Sequence, residues 1–271
     1  MPAVAWLAAT LVLCLIAEGA EPNRQIPVYS AASIVNAATN EPGPLAPLAL
    51  VSLYGKDLAT VTRAISLDDV RNGQLPTTLV GTGVTIAIDN IVVPILFVSP
   101  GQINFLIPGN IRTGRRQLRL LVSGKAGPDV AIIIGDSSPG LFQMEPNAVI
   151  ATRADGSLIT PASPARPGDI LILYAAGLGA TSPAVTGLTV PAAAASISAR
   201  SQFAVLLNDA PIPDADILYA GVTPGFAGLY QINCRLPIDT PVDPEIRLRL
   251  PGQTSPPRLH LAVRPASASV Q

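Results

Sequence analysis

The chain has 271 residues, of which 17 are basic and 18 acidic, so its formal net charge at pH 7 is −1. This balance provides no positive field that would attract nucleic acid or an anionic membrane surface. Hydrophobic residues make up 49% of the chain, which disfavours disorder, and the 28 prolines and 22 glycines favour short strands with tight loops over long helices.

Residues 1–20 are predicted to be a signal peptide. Their apolar run, residues 3–17, ends before the small residues Gly19 and Ala20, and it is shorter than the roughly 20 residues of a membrane-spanning helix. An uncleaved membrane anchor is the alternative. Cys14 is preceded by Leu13, whereas a lipidation signal has a small residue there. The signal peptide predicts a secreted or extracytoplasmic protein whose mature chain has no transmembrane span. Its removal leaves Cys234 as the only cysteine, so we expect no intramolecular disulfide.

Two sequence segments recur in the same order in the two halves of the chain. LVSLYGKDLA (residues 50–59) matches ILILYAAGLG (residues 170–179), and GQINFLIP (residues 101–108) matches YQINCRLP (residues 230–237). The second copy spaces its two segments nine residues further apart. Matches that keep their order indicate a tandem repeat that arose by duplication.

Short runs of alternating apolar and polar residues predict β-strands with one face towards a core. Asn and Asp tolerate left-handed backbone, so the pairs Asp89-Asn90 and Asn208-Asp209 predict hairpin turns. Strands are predicted at residues 84–88, 91–93, 102–107, 117–122, 203–207, 210–212, 231–236, 245–250 and 258–263. This density of short strands predicts an all-β fold of two tandem immunoglobulin-like antiparallel β-sandwich domains.

The predicted domain boundary lies near residues 136–140, where an apolar strand pattern ends in Gly-Asp-Ser-Ser-Pro-Gly. Each half is long enough to bury a core of its own. The resulting division is a signal peptide, residues 1–20, a first domain, residues 28–137, a second domain, residues 138–265, and a C-terminal tail, residues 266–271.

Five ordered motifs carry a family resemblance: SIVNAA (33–38), VSPGQINF (98–105), PARPGD (164–169), YAAGLG (174–179) and GLYQIN (228–233). Together they resemble the uncharacterised C-terminal domain family of secreted Solibacter-type proteins, which is similar to the IPT/TIG immunoglobulin-like modules. The resemblance spans about residues 28–265. It implies an extracellular module but no activity, cofactor or catalytic residue, and the chain departs from the family by Cys234 where a residue such as valine is usual.

The candidate ligand-binding residues are two pairs of amides, Gln102 with Asn104 and Gln231 with Asn233. Residues two apart on a strand project on the same face, so both pairs are expected to point away from the core, where amides can hydrogen-bond sugars or a partner's backbone. The alternative is a structural role, because both halves of the chain keep the pair.

Four arginines, Arg112, Arg115, Arg116 and Arg119, form a local basic cluster. Charged side chains on an edge strand commonly prevent association between sheet edges. We therefore expect this cluster to lie on an edge strand, and contact with an anionic envelope polymer is the alternative.

Residues suited to catalysis or metal binding are few. His260 is the only histidine, and the alternation of its neighbours turns it outward. Residues 135–138, Gly-Asp-Ser-Ser, lack the second glycine of a Gly-x-Ser-x-Gly elbow, zinc needs three or four His or Cys ligands, and the acidic pairs Asp68-Asp69 and Asp214/Asp216 lie outside any EF-hand pattern. We expect no catalytic residue, metal, nucleotide or cofactor.

These observations predict a secreted, non-enzymatic binding or structural module of the cell envelope or extracellular space. The expected partner is an extracellular or envelope protein, contacted through sheet faces, loops or strand edges. A carbohydrate-binding or adhesion module with a polysaccharide partner is the alternative, and a secreted hydrolase that uses Ser137 or His260 is the third hypothesis. Nucleic acid is not an expected partner.

Overall fold

The computed structural model describes residues 26–144, 147–186 and 188–264, so the predicted signal peptide and tail lie outside the described residues. The helices of this part are single turns of 3-10 helix, at Ala31–Ser33, Leu67–Asp69, Arg200–Gln202 and Asp214–Asp216. None of them is long and apolar enough to cross a membrane. The described strands pair antiparallel with one another, which confirms the predicted all-β fold class.

The strands of the N-terminal half build two sheets. They are β1 (Ile34–Asn36), β2 (Leu50–Tyr54), β3 (Arg63–Ala64), β4 (Val84–Ile88), β5 (Ile91–Val92), β6 (Ile95–Val98), β7 (Gln102–Leu106), β8 (Gly114–Val122), β9 (Lys125–Ala126) and β10 (Val130–Ile134). One sheet has the order β1-β2-β7-β6-β3, and the other has the order β10-β8-β4-β5 with β9 beside β8.

The strands of the C-terminal half follow the same plan. They are β11 (Gly140–Leu141), β12 (Gln143–Met144), β13 (Ala148–Val149), β14 (Ala151–Thr152), β15 (Ile170–Ala176), β16 (Thr181–Ser182), β17 (Ala195–Ile197), β18 (Ala204–Leu207), β19 (Ala210–Pro211), β20 (Ile217–Val222), β21 (Tyr230–Arg235), β22 (Ile246–Leu250) and β23 (Gln253–Thr254). The larger sheet has the order β11-β15-β21-β20-β17-β16, with β14 also on β15, and the smaller has the order β19-β18-β22-β23. Strands β12 and β13 form a separate pair.

The buried apolar residues form two clusters, one in each half. In the N-terminal half, Phe105 of β7 and Ile86 of β4 come from different sheets and are both fully buried in one cluster. In the C-terminal half, Ile232 of β21 and Leu248 of β22 do the same. Burial of each such side chain stabilises the fold by about 1.5–3 kcal/mol. The division into domains at residues 137 and 138 stays a prediction.

The two halves are in contact with each other. Leu48 belongs to the N-terminal half by sequence, yet its side chain is buried in the C-terminal cluster. Backbone hydrogen bonds also join the halves, from Leu75 N–H to the Leu188 carbonyl and from Val190 N–H to the Gly73 carbonyl, both 2.8 Å. Burial and backbone pairing thus hold the two halves against each other.

The repeated sequence segments are paired strands with the same register. In the N-terminal half Tyr54 lies opposite Gln102 and Ser52 opposite Asn104. In the C-terminal half Tyr174 lies opposite Gln231 and Ile172 opposite Asn233. Equal register is what a tandem duplication predicts. The predicted hairpin turns are present between β4 and β5 and between β18 and β19.

The predicted strand at residues 258–263 is wrong, because no strand is assigned there. Its hydrogen bonds go to three different segments: His260 N–H donates to Asn147, Leu261 N–H to Pro244, and Arg264 N–H to Ala165. A strand forms when consecutive residues pair with one neighbouring segment. Here successive residues pair with different segments, so only isolated bridges form at His260 and Val263.

The edge-strand prediction for the arginine cluster is also wrong. Strand β8, which carries Arg115, Arg116 and Arg119, is central in its sheet, with β10 on one side and β4 on the other. Two of these arginines pair with aspartates, Arg116 with Asp89 at 3.4 Å and Arg119 with Asp129. Arg115 and Arg119 therefore lie on the solvent-facing side of a central strand, whereas Arg116 is on the face of the buried Leu118, near the start of β8. The edge prediction failed because a local sequence pattern does not reveal the order of strands in a sheet.

Candidate functional site

The first candidate amides, Gln102 and Asn104, lie side by side on the outer face of β7, opposite in direction to the buried Ile103 and Phe105. The Gln102 Nε2 donates to Asn104 Oδ1 at 2.8 Å, and the hydroxyl of Ser52 donates to the same oxygen at 3.1 Å. These two bonds fix the Asn104 amide by its oxygen. Its Nδ2 group makes no hydrogen bond with the described residues, which leaves two donors for solvent or a ligand.

The second pair repeats this arrangement on β21. Gln231 Nε2 donates to Asn233 Oδ1 at 2.7 Å, and both side chains are partly exposed. The strand partner of Asn233 on β15 is Ile172 instead of a serine, so the third hydrogen bond of the first pair has no counterpart. The prediction that each pair shares one face is confirmed by these bonds. Whether either pair binds a ligand remains a prediction.

Aromatic rings flank both amide pairs. Tyr54 lies opposite Gln102, and Phe97 on β6 lies opposite Asn104. Cross-strand partners share a face with Cβ atoms about 4.5–5.5 Å apart. We call Tyr54, Phe97, Gln102 and Asn104 the N-terminal amide row. The C-terminal amide row consists of Tyr174 opposite Gln231 and Tyr219 opposite Asn233, with those two amides.

The tyrosines differ in burial from the sequence-based expectation. Tyr54, Tyr174, Tyr219 and Tyr230 are predicted from their strand patterns to be core residues. Tyr230 is fully buried, and its hydroxyl donates to the Gly179 carbonyl, but Tyr54 is 36% exposed. Tyr54 lies at the end of β2 on the outward side of its alternation, opposite in direction to the buried Leu53.

Tyr219 is held over the sheet by its own backbone surroundings. Its hydroxyl donates to the Val222 carbonyl at 2.8 Å, and burial raises its pKa above the ordinary value of 10.0. A Cβ on Gly221 would lie 2.4 Å from this hydroxyl, so the glycine provides the space that the ring occupies. The orientation of the Tyr219 ring is therefore set by its hydrogen bond to Val222 and by the space that Gly221 leaves.

An apolar groove is lined in part by Leu50 of β2 and Leu96 of β6, two strands that also carry residues of the N-terminal amide row. It has a volume of about 600 Å³ and lies between the outer face of the first sheet and the loop 223–229 of the C-terminal half. Its lining comprises Leu50, Ile65, Ser66, Leu67, Val70, Leu75, Leu96, Val190, Gly225, Phe226, Ala227 and Leu229. Leu67 is 91% exposed and Phe226 60% exposed, so large apolar side chains face solvent at this place.

Glycine allows the loop 223–229 to approach the sheet closely enough to close this groove. A Cβ on Gly228 would lie 2.5 Å from Leu106 Cδ1 and 2.8 Å from Leu50 Cγ, and the residue has a φ of 77°. The backbone of the loop therefore lies directly on these leucines. The sequence alone does not predict this groove, because its lining residues come from segments that are far apart in the chain.

The residues considered for catalysis do not come together. His260 is exposed, and its Nδ1 lies 3.0 Å from the Asp243 carbonyl oxygen. Ser137 is buried next to the connection between the halves, and no hydrogen bond joins it to His260 in the described part of the chain. Within residues 26–264, apart from the three undescribed positions, no group of three His, Cys, Asp or Glu side chains is placed to hold a metal ion.

Three of the four aspartates in the acidic pairs are engaged in ion pairs. Asp69 contacts Arg63 at 2.6 Å, Asp214 contacts Arg200 at 2.6 Å, and Asp216 contacts Arg235 at 3.8 Å. The pKa of Asp69 is lowered, first by a hydrogen bond from the Ser66 backbone and then by the Ser66 hydroxyl, with a smaller effect of Arg63. Each of these three carboxylates is therefore engaged with an arginine of its own half of the chain.

No protein-family model matches the chain, and no curated protein matches it. Solved structures resemble it weakly. One is the surface glycan-binding protein PbSGBP-B from Prevotella bryantii, with 10% identity and a TM-score of 0.26 over 85% of this chain and 41% of that one. Another is SGBP-B of the Bacteroides ovatus mixed-linkage glucan utilization locus in complex with a heptasaccharide, with 8% identity and a TM-score of 0.33 over 90% of this chain and 47% of that one. Domains 5–6 of the S-layer protein SbsC also resemble it, with 9% identity and a TM-score of 0.27 over 89% of this chain and 100% of that one. The chain spans less than half of the first two proteins, and similarity at these TM-scores transfers no function.

Proposed function

We propose that the chain is a secreted, non-enzymatic binding module of the cell envelope or extracellular space that contacts a partner protein through the apolar groove. The observation that carries this proposal is the exposure of Leu67 and Phe226 beside a groove of about 600 Å³. Exposed clusters of large apolar side chains mark interaction sites, because their burial against a partner removes apolar surface from water.

The chemistry of the groove favours a polypeptide with apolar side chains as the occupant. Ser66 is the only polar side chain in the lining, and its hydroxyl already donates to Asp69 Oδ2 at 2.9 Å. A sugar buried there would leave its own hydroxyls without partners, at a cost of about 1–3 kcal/mol each. Leucine, isoleucine or phenylalanine side chains of a partner protein carry no such cost.

A capture experiment with matched variants tests this proposal. The double variant Leu67→Ser/Phe226→Ser is expected to retain a partner from the envelope extract at least about tenfold more weakly than the parent chain, because it removes two exposed anchors. The control is Ile238→Ser/Val242→Ser, which removes apolar side chains that are 81% and 55% exposed outside the groove. Equal losses in the two double variants would contradict a role of the groove.

A second candidate function is carbohydrate binding at the two amide rows. The observation that favours it is the placement of Gln102 with Asn104, and of Gln231 with Asn233, between aromatic residues on partly exposed sheet faces. Ring faces stack on the apolar faces of sugars while amides hydrogen-bond hydroxyls. The mutual bond within each pair holds the amides in place before a ligand arrives.

Substitutions at the asparagines separate this function from a structural role. Alanine at Asn104 and Asn233 removes the whole amide, whereas Asn104→Asp and Asn233→Asp keep the Oδ1 acceptor that Gln102 and Gln231 use. For polysaccharide binding we expect both changes to weaken affinity at least about tenfold, since each removes the Nδ2 donors. Affinity that is retained in the aspartate variants and lost only in the alanine variants would indicate a structural role. The variants Gln102→Ala and Gln231→Ala test the other amide of each pair in the same way.

A further inference from the structure

A second concave region lies in the C-terminal half, where three arginines line one cavity. This cavity has a volume of about 540 Å³, and its charged lining residues are Arg153, Arg166, Arg264 and Asp169. We call it the arginine cavity. It shares no residue with the amide rows or with the apolar groove.

The fold gathers these arginines from three distant segments. Arg153 directly follows β14, and Arg166 lies in the loop that precedes β15. Arg264 is placed beside this loop because its N–H donates to the Ala165 carbonyl at 3.0 Å. Three like charges brought together by backbone pairing repel one another unless an anion lies between them.

Among the described residues, two of the three guanidinium groups have no carboxylate in contact, although Asp155 lies near enough to Arg153 to interact with it electrostatically. Arg153 donates only to neutral acceptors, the carbonyls of Pro164 at 2.8 Å and Ser163 at 3.2 Å, the Ser163 hydroxyl at 3.3 Å and the Leu158 carbonyl at 3.5 Å. These bonds fix the guanidinium without neutralising it. The Arg166 side chain makes no hydrogen bond or ion pair with the described residues, whereas Arg264 pairs with Asp243.

The acidic lining residue is used by the loop itself. Asp169 Oδ2 accepts from the Arg166 backbone N–H at 2.9 Å, which closes the turn 166–169. The basic cluster of β8 differs in this respect, because Arg116 and Arg119 already contact Asp89 and Asp129. The arginine cavity thus combines a concave shape with two cationic groups, those of Arg153 and Arg166, that no carboxylate of the described residues contacts.

We infer that the arginine cavity binds the oxyanion groups, carboxylate or sulfate, of an acidic polysaccharide. Guanidinium groups form charge-assisted hydrogen bonds with such groups. The volume of 540 Å³ far exceeds the roughly 30 Å³ of one water molecule, so a sugar unit fits beside its charged group. This inference is independent of the partner protein at the apolar groove.

Binding of defined polymers tests the inference. Polygalacturonate carries carboxylates, dextran sulfate carries sulfates and dextran is neutral, and each is titrated against the protein at constant salt concentration, because ionic strength screens such contacts. We expect binding of at least one acidic polymer and none of dextran. Arg166→Gln is expected to weaken that binding about tenfold or more, since it removes a charged donor. The Arg166 side chain is exposed and makes no hydrogen bond or ion pair with the described residues, so we expect this change to leave the stability of the fold unaltered.

The control is Arg115→Gln, which removes an exposed arginine from β8 without touching the cavity. Two results would overturn the inference, because they would show that the polymer binds outside the cavity. One is full affinity in Arg166→Gln, and the other is an equal loss of affinity in Arg115→Gln. Equal binding of dextran, or failure of both acidic polymers to bind, would also overturn it. A preference for polygalacturonate supports carboxylate as the ligand group, and a preference for dextran sulfate supports sulfate.

Discussion

Replacement of Gly179 with alanine is expected to lower the free energy of unfolding by about 2–5 kcal/mol. Gly179 has a φ of 87°, and a Cβ there would lie 2.3 Å from the Asp136 carbonyl oxygen. Left-handed backbone costs an alanine about 1–2 kcal/mol, and the collision adds about 1–3 kcal/mol of overpacking. A backbone carbonyl cannot rotate away as a flexible side chain can.

The surroundings of Gly179 leave little room for relaxation. Ser138 N–H donates to the Gly177 carbonyl at 2.7 Å, and the buried hydroxyl of Tyr230 donates to the Gly179 carbonyl. Gly177 itself has a φ of 74° and would place a Cβ 2.1 Å from the Ser138 carbonyl oxygen. A shift of the segment 136–138 would break the Ser138–Gly177 hydrogen bond and the bond from Asn36 Nδ2 to the Ser138 carbonyl at 2.8 Å.

Gly124→Ala is the matched control for this prediction. Gly124 has a φ of 81° but no atom within 4 Å of a Cβ, so only the backbone cost of about 1–2 kcal/mol remains. Both substitutions change the entropy of the unfolded chain equally, and the difference between them isolates the collision. Urea unfolding followed by circular dichroism measures it, because the only tryptophan, Trp6, lies in the predicted signal peptide. Equal destabilisation of the two variants would show that the segment 136–138 moves freely.

The sequence predicted those parts of the fold that depend on local patterns. Alternation on β4, β7 and β22 identified the strands, and left-handed Asn208 and Asp209, with φ of 49° and 64°, form the turn that their chemistry favours. The strand order was out of reach, because no local pattern places β8 between β10 and β4. The segment 258–263 alternates like a strand yet pairs with three different segments.

The candidate sites were predictable to different degrees. Gln102 and Asn104 were identified because they repeat in Gln231 and Asn233 at the spacing of one strand face. Their aromatic neighbours depend on which strands pair, so Phe97 and Tyr219 could not be assigned from sequence. The apolar groove and the arginine cavity each combine segments more than 100 residues apart, such as Leu50 with Phe226 and Arg153 with Arg264, and only the folded chain brings such residues together.

The sequence match places Cys234 at the position of Phe105, and both side chains are buried in their cores, with exposures of 1% and 0%. Cys234 lies between Leu171 on β15 and Ile217 on β20. Burial raises the pKa of its thiol from 9.0 to about 12, with a smaller contribution from Asp216. The thiol is therefore a small apolar core group in the native protein, as the sequence pattern predicts.

Alkylation of Cys234 by iodoacetamide at pH 8 is expected to be on the order of 1000-fold slower in the native protein than in urea, because a thiol pKa of about 12 instead of 9.0 lowers the thiolate fraction at that pH. Mass spectrometry of the Cys234 peptide measures this rate and separates it from that of Cys14. Leu67→Cys provides the positive control, since position 67 is 91% exposed and a thiol there should react at the rate of the unfolded chain. A native Cys234 that reacts as fast as this control would contradict a closed β15-β21-β20 core. A rate that rises with urea below the unfolding transition would instead locate a local opening of these strands.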